Sequence, residues 1–411
     1  MGATTTRSSS RLLLLVAVLL IAANLRATIT GVGPLLTQIA DDLGTSEAAL
    51  GALAAVPLIA FAVVSPFAHG LSARFGMPRV VLWSLVLMAV GTIWRSLPGS
   101  AVNLWLGTAL IGASIAIANV LMPAVIKRDF SERITVVTAA FTALLAGMGA
   151  VASGVVVPIS HVQTSAGDLG WQGALLWTGA LLPFAIVAWL LSIRSRPRDA
   201  GSAARRRRSG IWGDPLAWQV LLYMGLQSSI FYMLVTWFAP IAHSLGRSEV
   251  VAGVDVMVYQ LCAIAGSLTI PLLLRGRMQR IGPAAIPVLS LIGVLGLIAF
   301  PDAFLVWVIL CGLASGASLG VSLSLFSLRA RTHEGASALS GMAQSGGYLI
   351  AAAGPIAFGA LLSVSGGWLA PLVLVGLVLV GQLVVGLLVG RDRYVLEPRA
   401  DSNDGDRIGP R

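Results

Sequence analysis

The sequence predicts an all-α polytopic membrane protein, with twelve transmembrane helices in two six-helix, pseudo-symmetric halves. Three observations predict it. Of 411 residues, 57% are apolar and only 11% charged, whereas an ordinary soluble chain carries about a quarter charged residues. The apolar residues gather into twelve runs, each near the roughly 20 residues that a helix needs to cross a ~30 Å hydrocarbon layer. Two stretches of the first six runs recur, in register, in the last six. A soluble enzyme, a disulfide-stapled secreted scaffold and a disordered chain are thereby excluded.

The runs lie near 12–37, 48–68, 79–97, 101–125, 134–160 and 171–193, then near 215–241, 250–273, 283–300, 303–326, 336–363 and 367–390. We number them spans 1 to 12. Residues 1–193 form the N-terminal half and 215–391 the C-terminal half. Between them, 194–214 is a polar linker with SRPRDAGSAARRRRSG at its heart, and 392–411 is a polar tail. Span 1 follows Arg7 and Arg11, as a signal peptide would. It runs on past Asn24 and Arg26 without a small-residue cleavage site, so it is read as a retained helix.

The formal charge of +10 is carried almost wholly by arginine, since Lys127 is the one lysine among 27 basic residues. With the N-terminus inside, 24 of the 27 fall in cytoplasmic segments; Arg95 and Arg247 fall outside and Arg26 within span 1. Positive charge accumulates on the cytoplasmic side of a membrane protein, so both termini are placed there. The charge is a topology signal and implies no nucleic-acid partner. Arg205–Arg208 either serve that signal alone or add attraction to anionic lipid. Cys262 and Cys311 lie within apolar runs, and His69, His161, His243 and His333 show no ligand spacing. Neither a metal site nor a cofactor motif is therefore read, and no GxxxxGK[ST] loop points to ATP drive.

The internal repeat is specific. Ala40, Leu43, Gly44, Ser46, Glu47 and Gly51 match Ala242, Leu245, Gly246, Ser248, Glu249 and Gly253 at an offset of 202. Ala146, Gly149, Pro158, Gly170, Trp171 and Gly179 match Ala343, Gly346, Pro355, Gly367, Trp368 and Gly376 at an offset of 197. An even number of spans per copy keeps the copies parallel. Two such halves rocking about a midplane substrate is the physical expectation for this architecture. Spans 5 and 11 also carry small residues every four positions: Ala146, Ala150, Gly154 and Pro158, and Ala343, Gly347, Ala351 and Pro355. Such stripes let helices approach closely in lipid, either as a moving gate or as static packing.

Several segments carry a resemblance: NLRATITGVGPLL at 24–36, IAIANVLMPAVIKRDF at 115–130, YMGLQSSIFYMLVTW at 223–237, SLGVSLSLFSLRART at 318–332 and SGMAQSGGYLIAAAGP at 340–355. With the duplicated body, they resemble the major facilitator superfamily, and within it the branch of bacterial cyanate and 2-nitroimidazole transporters. The resemblance implies a bacterial inner-membrane transporter of a small-molecule substrate, in a fold able to work as a monomer. One segment departs from the family. GLSARFGMPR at 70–79 resembles the cytoplasmic gating motif, but Ala73 stands where the family aspartate would fall, which puts a charge-relay lock there in doubt.

Arg26 is the most informative single residue. It lies about 21 Å along span 1 at 1.5 Å per residue, close to the midplane, where a charge faces a cavity or a partner. No acidic residue sits at that depth to pair with it; Asp255, about two turns into span 8, comes nearest. Thr30 lies one turn along the same face and Asn24 on an adjacent one. Gly31, Gly33 and Pro34 would open the helix and free backbone groups. Further polar residues at mid-span depth are Asn119, Gln227, Tyr232, Gln344 and Tyr348. Each is read as orienting a small polar substrate or as bonding across helices. Asp255 is read as an outer-vestibule residue or a shallow site for a coupling proton, and Trp237 as part of the outer aromatic belt.

A fixed positive charge without a counter-charge favours an anionic or electron-rich planar solute. The expected function is secondary active transport of a small anion or small polar organic solute, cyanate-like or nitroheterocycle-like. The alternative is a proton-coupled multidrug or nitro-compound exporter. A membrane-embedded enzyme would need acid, His or Cys clusters, which the sequence lacks.

Overall fold

The computed structural model describes residues 2–165, 167–194, 210–270, 274, 276 and 278–396. The expected arginine-rich linker and tail lie largely outside the described residues. Among those described, twelve helices are long and apolar enough to cross a membrane. They are spans 1 (Arg11–Leu43), 2 (Glu47–Ala68), 3 (Met77–Arg95), 4 (Ala101–Asp129), 5 (Val136–Ser160) and 6 (Gly170–Ile193), then 7 (Pro215–Ser244), 8 (Glu249–Ser267), 9 (Met278–Ala299), 10 (Pro301–Leu328), 11 (Glu334–Ser365) and 12 (Leu369–Val389). Span 8 is described to Ser267, with a turn at Leu268 and Thr269, and the expected end at 273 lies outside the described residues. Large apolar side chains such as Phe67, Ile93, Leu295 and Leu377 stand exposed on the outer faces. In water they would be a liability, and in lipid they are the solvated surface. The protein is a multi-pass membrane protein.

Each half has its own core. Leu14, Ile21, Leu58, Met88, Ile115, Met122 and Trp189 pack together in the first, and Trp237, Phe238, Phe304 and Phe358 in the second. The sequence repeat reappears as matched local structure. Gly44 and Gly246 both take positive φ, which ends the preceding helix at low steric cost. Ser46 and Ser248 then cap spans 2 and 8, accepting from the amides of Ala49 and Val251.

Gly51 and Gly253 follow one turn on, and both lie where the halves touch. A Cβ on Gly51 would come within 2.6 Å of Trp237 and 3.1 Å of the Pro355 carbonyl; one on Gly253 would come within 2.9 Å of the Ser153 carbonyl. Only glycine fits either contact. Across the same end, Gln38 on span 1 donates to Glu249 on span 8 (2.5 Å), and His161 lies 3.4 Å from Glu249. The halves are thus sealed at the end bearing residues 36–51 and 241–253. Further along they part. Gly154 and Gly147 share a face of span 5, two turns apart; Gly154 abuts Met257 of span 8, whereas a Cβ on Gly147 would meet open space.

Two spans are broken. The first helix ends at Thr30, and a 3-10 turn at Gly33–Leu35 leads into the helix Leu36–Leu43, as Gly31, Gly33 and Pro34 lead one to expect. Span 6 is likewise two helices, Gly170–Trp177 and Leu182–Arg194, which the sequence reading treats as one. The small-residue stripes divide their roles. On span 5, Ala150 is buried and Gly154 meets the opposite half, whereas Ala146 is half-buried and Pro158 exposed. On span 11, Ala351 joins the core of the opposite half and Pro355 meets Gly51, but Gly347 packs on Met224 and Gly225 of its own half, where Ala343 also lies.

Candidate functional site

The place where the halves part is set by a knot of polar groups around span 1. Because span 1 breaks after Thr30, its last carbonyls lose their helical donors. The chain satisfies them across helices. Ser153 of span 5 donates to the Thr30 carbonyl (3.1 Å), and Thr30 Oγ1 lies 2.8 Å from the Gly149 carbonyl and 3.1 Å from that of Arg26. Gln260 of span 8 reaches in from the other half, its amide donating to Ser153 Oγ (2.7 Å) and to the Gly149 carbonyl (3.2 Å). Gly149 leaves room for Arg26, since a Cβ there would stand 2.8 Å from Arg26 Cγ.

Arg26 lies at the edge of this knot, half-buried. Its guanidinium stands over the ring of Phe231 on span 7, 4.5 Å from the centroid, in cation–π contact. It is within electrostatic reach of the hydroxyls of Tyr232, Tyr259 and Tyr348. Phe231 packs edge-on against Tyr232 at 5.1 Å and stacks on Tyr259 at 5.8 Å. Tyr348 packs edge-on against Phe61 of span 2, at 5.2 Å. Among the described residues the Arg26 guanidinium has neither a carboxylate partner nor a hydrogen-bond acceptor. Five N–H donors therefore stand free beside aromatic walls drawn from both halves.

The structure brings Arg26, Thr30, Tyr232 and Tyr348 to this place, and disperses the other residues singled out from the sequence. Asn24 donates to the Leu20 carbonyl of its own helix (2.7 Å), with its Oδ1 buried and unpartnered. Gln344 bonds Ser340 one turn away (2.8 Å). Gln227 bonds Ser228 (2.6 Å) and, with Ser290, Ser315, Ser318 and Gln382, lines a cavity of about 10 Å³ inside the second half. Asn119 is exposed on span 4.

Two expectations are corrected. Trp237 is not in an outer belt: it is fully buried and stacked on Phe358 at 5.1 Å, because its ring fills the space over Gly51. Asp255 does not line an open vestibule: it is 2% exposed and held by both prongs of Arg247 at 2.6 and 2.8 Å. A bidentate carboxylate–guanidinium pair is the strong form of that bond, and it fastens the loop before span 8 to the helix. Sequence reasoning missed Phe231 and Gln260, although a lone amide deep in span 8 was the available signal. It also missed Arg95, whose place at a span end hides that it turns inward.

Comparison with known proteins agrees with this architecture. Residues 14–340 match the model of the Major Facilitator Superfamily, and the chain belongs to that family. It is a transporter rather than an enzyme. It is similar to the 2-nitroimidazole transporter of Escherichia coli (strain K12), 38% identical over 380 residues, which is 92% of this chain and 95% of that protein. It is also similar to the cyanate transport protein CynX of the same organism, 30% identical over 363 residues, covering 86% and 90%. Among solved structures, a bacterial homologue of the human lysosomal transporter Spinster superposes with a TM-score of 0.77 at 14% identity, covering 96% of this chain and 100% of that one. At that identity the likeness speaks for the fold alone.

Proposed function

We propose that the chain moves a small anion, or a small electron-rich planar solute, across the bacterial inner membrane by alternating access, with Arg26 as its charged contact. The observation that carries this reading is the Arg26 guanidinium: half-buried near the midplane, without a carboxylate, and with its N–H donors free among the described residues. Leaving such a group unpaired in the membrane is costly, and a substrate's negative or electron-rich edge would offset that cost. Phe231, Tyr232 and Tyr348 supply flat faces for a planar solute. The relatives' names, a nitroimidazole and a cyanate carrier, lie within the same chemistry. The distribution of arginines places both termini in the cytoplasm, so the sealed end faces outward and the substrate path opens inward. The two halves supply both walls of the site within one chain, so the protein needs no second copy to complete it.

A proton-coupled exporter is the weaker reading. Asp255, the carboxylate it would use, is committed to Arg247. The test is a thermal-unfolding screen of purified protein against cyanate, other small anions, nitroimidazoles and neutral planar analogues. A ligand that binds the folded state raises the midpoint by mass action. Saturable stabilisation by anions or nitroheterocycles is the expected result, and stabilisation by neutral apolar compounds alone would contradict it.

A further inference from the structure

Between Arg26 and the sealed end lies a cavity of about 30 Å³. Ile29 and Thr30, on the Arg26 face of span 1, wall it together with Leu53 and Pro57 of span 2, Ile111 of span 4 and Tyr232 of span 7. Thr30 and Tyr232 also belong to the Arg26 site, so the cavity continues that site rather than standing apart from it. At its far end Gly33 closes on span 7, since a Cβ there would come within 2.9 Å of the Val235 carbonyl. The cavity is a side pocket of the Arg26 site, capped toward the sealed end.

The polar groups of the first half that border it are turned elsewhere. Arg95 of span 3 touches the cavity, but its Nη1 donates to the Thr28 carbonyl at 2.6 Å, its Nη2 donates to Thr178 Oγ1 at 2.9 Å, and its Nε is buried. Thr28 Oγ1 donates to the Asn24 carbonyl (3.1 Å), and Thr30 Oγ1 is engaged with the carbonyls of Gly149 and Arg26. Thr108 Oγ1 of span 4 is buried as well. These walls therefore present methyl and methylene groups, and a space of this kind stays dry. Protein interiors pack as densely as organic crystals, so the wall atoms forgo contacts until apolar atoms fill the space. At about 10–15 Å³ for each water-sized group, the cavity takes two or three such groups, which is a short alkyl chain.

Resting on the reading of Arg26 as the charged contact, we propose that the transported solute is amphipathic. Its planar anionic head lies on the Arg26 guanidinium, and an apolar substituent of about two or three carbons fills this cavity. A bare triatomic anion would leave the cavity empty, and a longer chain would run into the contact of Gly33 with span 7. Arg26 makes the site select anions, and the cavity selects among them by the size of the apolar part.

The test is ligand-induced thermal stabilisation of the full-length protein in detergent, titrated with acetate, propionate, butyrate and hexanoate and with the matching neutral amides. The apparent affinity for the carboxylates should rise about three- to fourfold per added carbon up to butyrate, and fall at hexanoate. The amides should follow the same profile at lower affinity. Ala54→Leu, which fills the cavity from span 2, should flatten the profile. A wild-type profile that is flat, or that climbs on through hexanoate, would overturn the proposal, as would an unchanged profile in Ala54→Leu. Should that variant not fold, the position of the wild-type maximum decides alone. The reading of Arg26 fails separately: amides that bind as tightly as carboxylates, with the maximum at butyrate intact, would remove the charged contact and keep the cavity. No binding in either series would contradict both.

Discussion

Arg26 of span 1 and Arg95 of span 3 both enter the membrane-spanning body, and the fold treats them in opposite ways. Arg95 is almost fully buried and spends its two terminal nitrogens on carbonyls and a hydroxyl from spans 1 and 6. Arg26 is half-buried where the halves part, resting on Phe231 with its donors free among the described residues. A charge in the membrane marks either structure or function, and depth alone does not distinguish them. The saturation of the guanidinium does. The arginine whose terminal nitrogens are bonded, with Nε alone unpartnered, is part of the frame, and the one with no nitrogen bonded is free to meet a ligand.

The largest effect should come from the frame. Arg95→Met orphans the Thr28 carbonyl, at about 1–3 kcal/mol for an unsatisfied buried group, and unfastens span 6, where the Leu175 carbonyl keeps its bond from Thr178 Oγ1. It should yield little monodisperse protein and a much lower unfolding midpoint. A variant as stable as wild type would erase the distinction between the two arginines. Arg26→Lys should fold normally yet bind its ligand about tenfold more weakly, because an ammonium lacks the planar two-pronged donor geometry. Binding equal to wild type by isothermal titration would show that only charge matters there.

How much of this was legible beforehand follows the same division. The spans, the duplication and the break at Gly31–Pro34 follow from composition and local chemistry, so the sequence carries them. The matched capping serines and contact glycines of the repeat were visible as identities, and the structure supplies their purpose. Of the candidate site, Arg26, Thr30, Tyr232 and Tyr348 assemble. The amide nitrogens of Asn24 and Gln344 bond within one turn of their own helices, and such local bonds compete with any longer reach. Arg95 was hidden because a residue at a span end reads as a loop residue until the break in span 6 is seen.

The small-residue stripes sharpen the comparison at lower amplitude. A cysteine replacing Gly154, which faces span 8 across the halves, should change its labelling rate when ligand is added. One replacing Gly347, packed on span 7 of its own half, should not. Equal responses would show that the halves do not move as units. The smallest effect should come from Gln260→Leu, which removes the inter-half bonds to Ser153 and Gly149. Such bonds contribute about 0.6 kcal/mol each in a membrane interior, so loss of the two should shift the balance between conformations by no more than about eightfold, readable as a modest change in cysteine accessibility at Thr236.

The most direct measurement is the affinity of Arg26→Gln for the best ligand from the screen, set beside wild type in the same detergent. Losing a hydrogen bond to a charged group costs about 1.5–3 kcal/mol, so binding should weaken roughly ten- to a hundredfold. The variant should elute as a single species with an unchanged ligand-free unfolding midpoint. A well-folded Arg26→Gln protein that binds as tightly as wild type would contradict the account and return Arg26 to the frame.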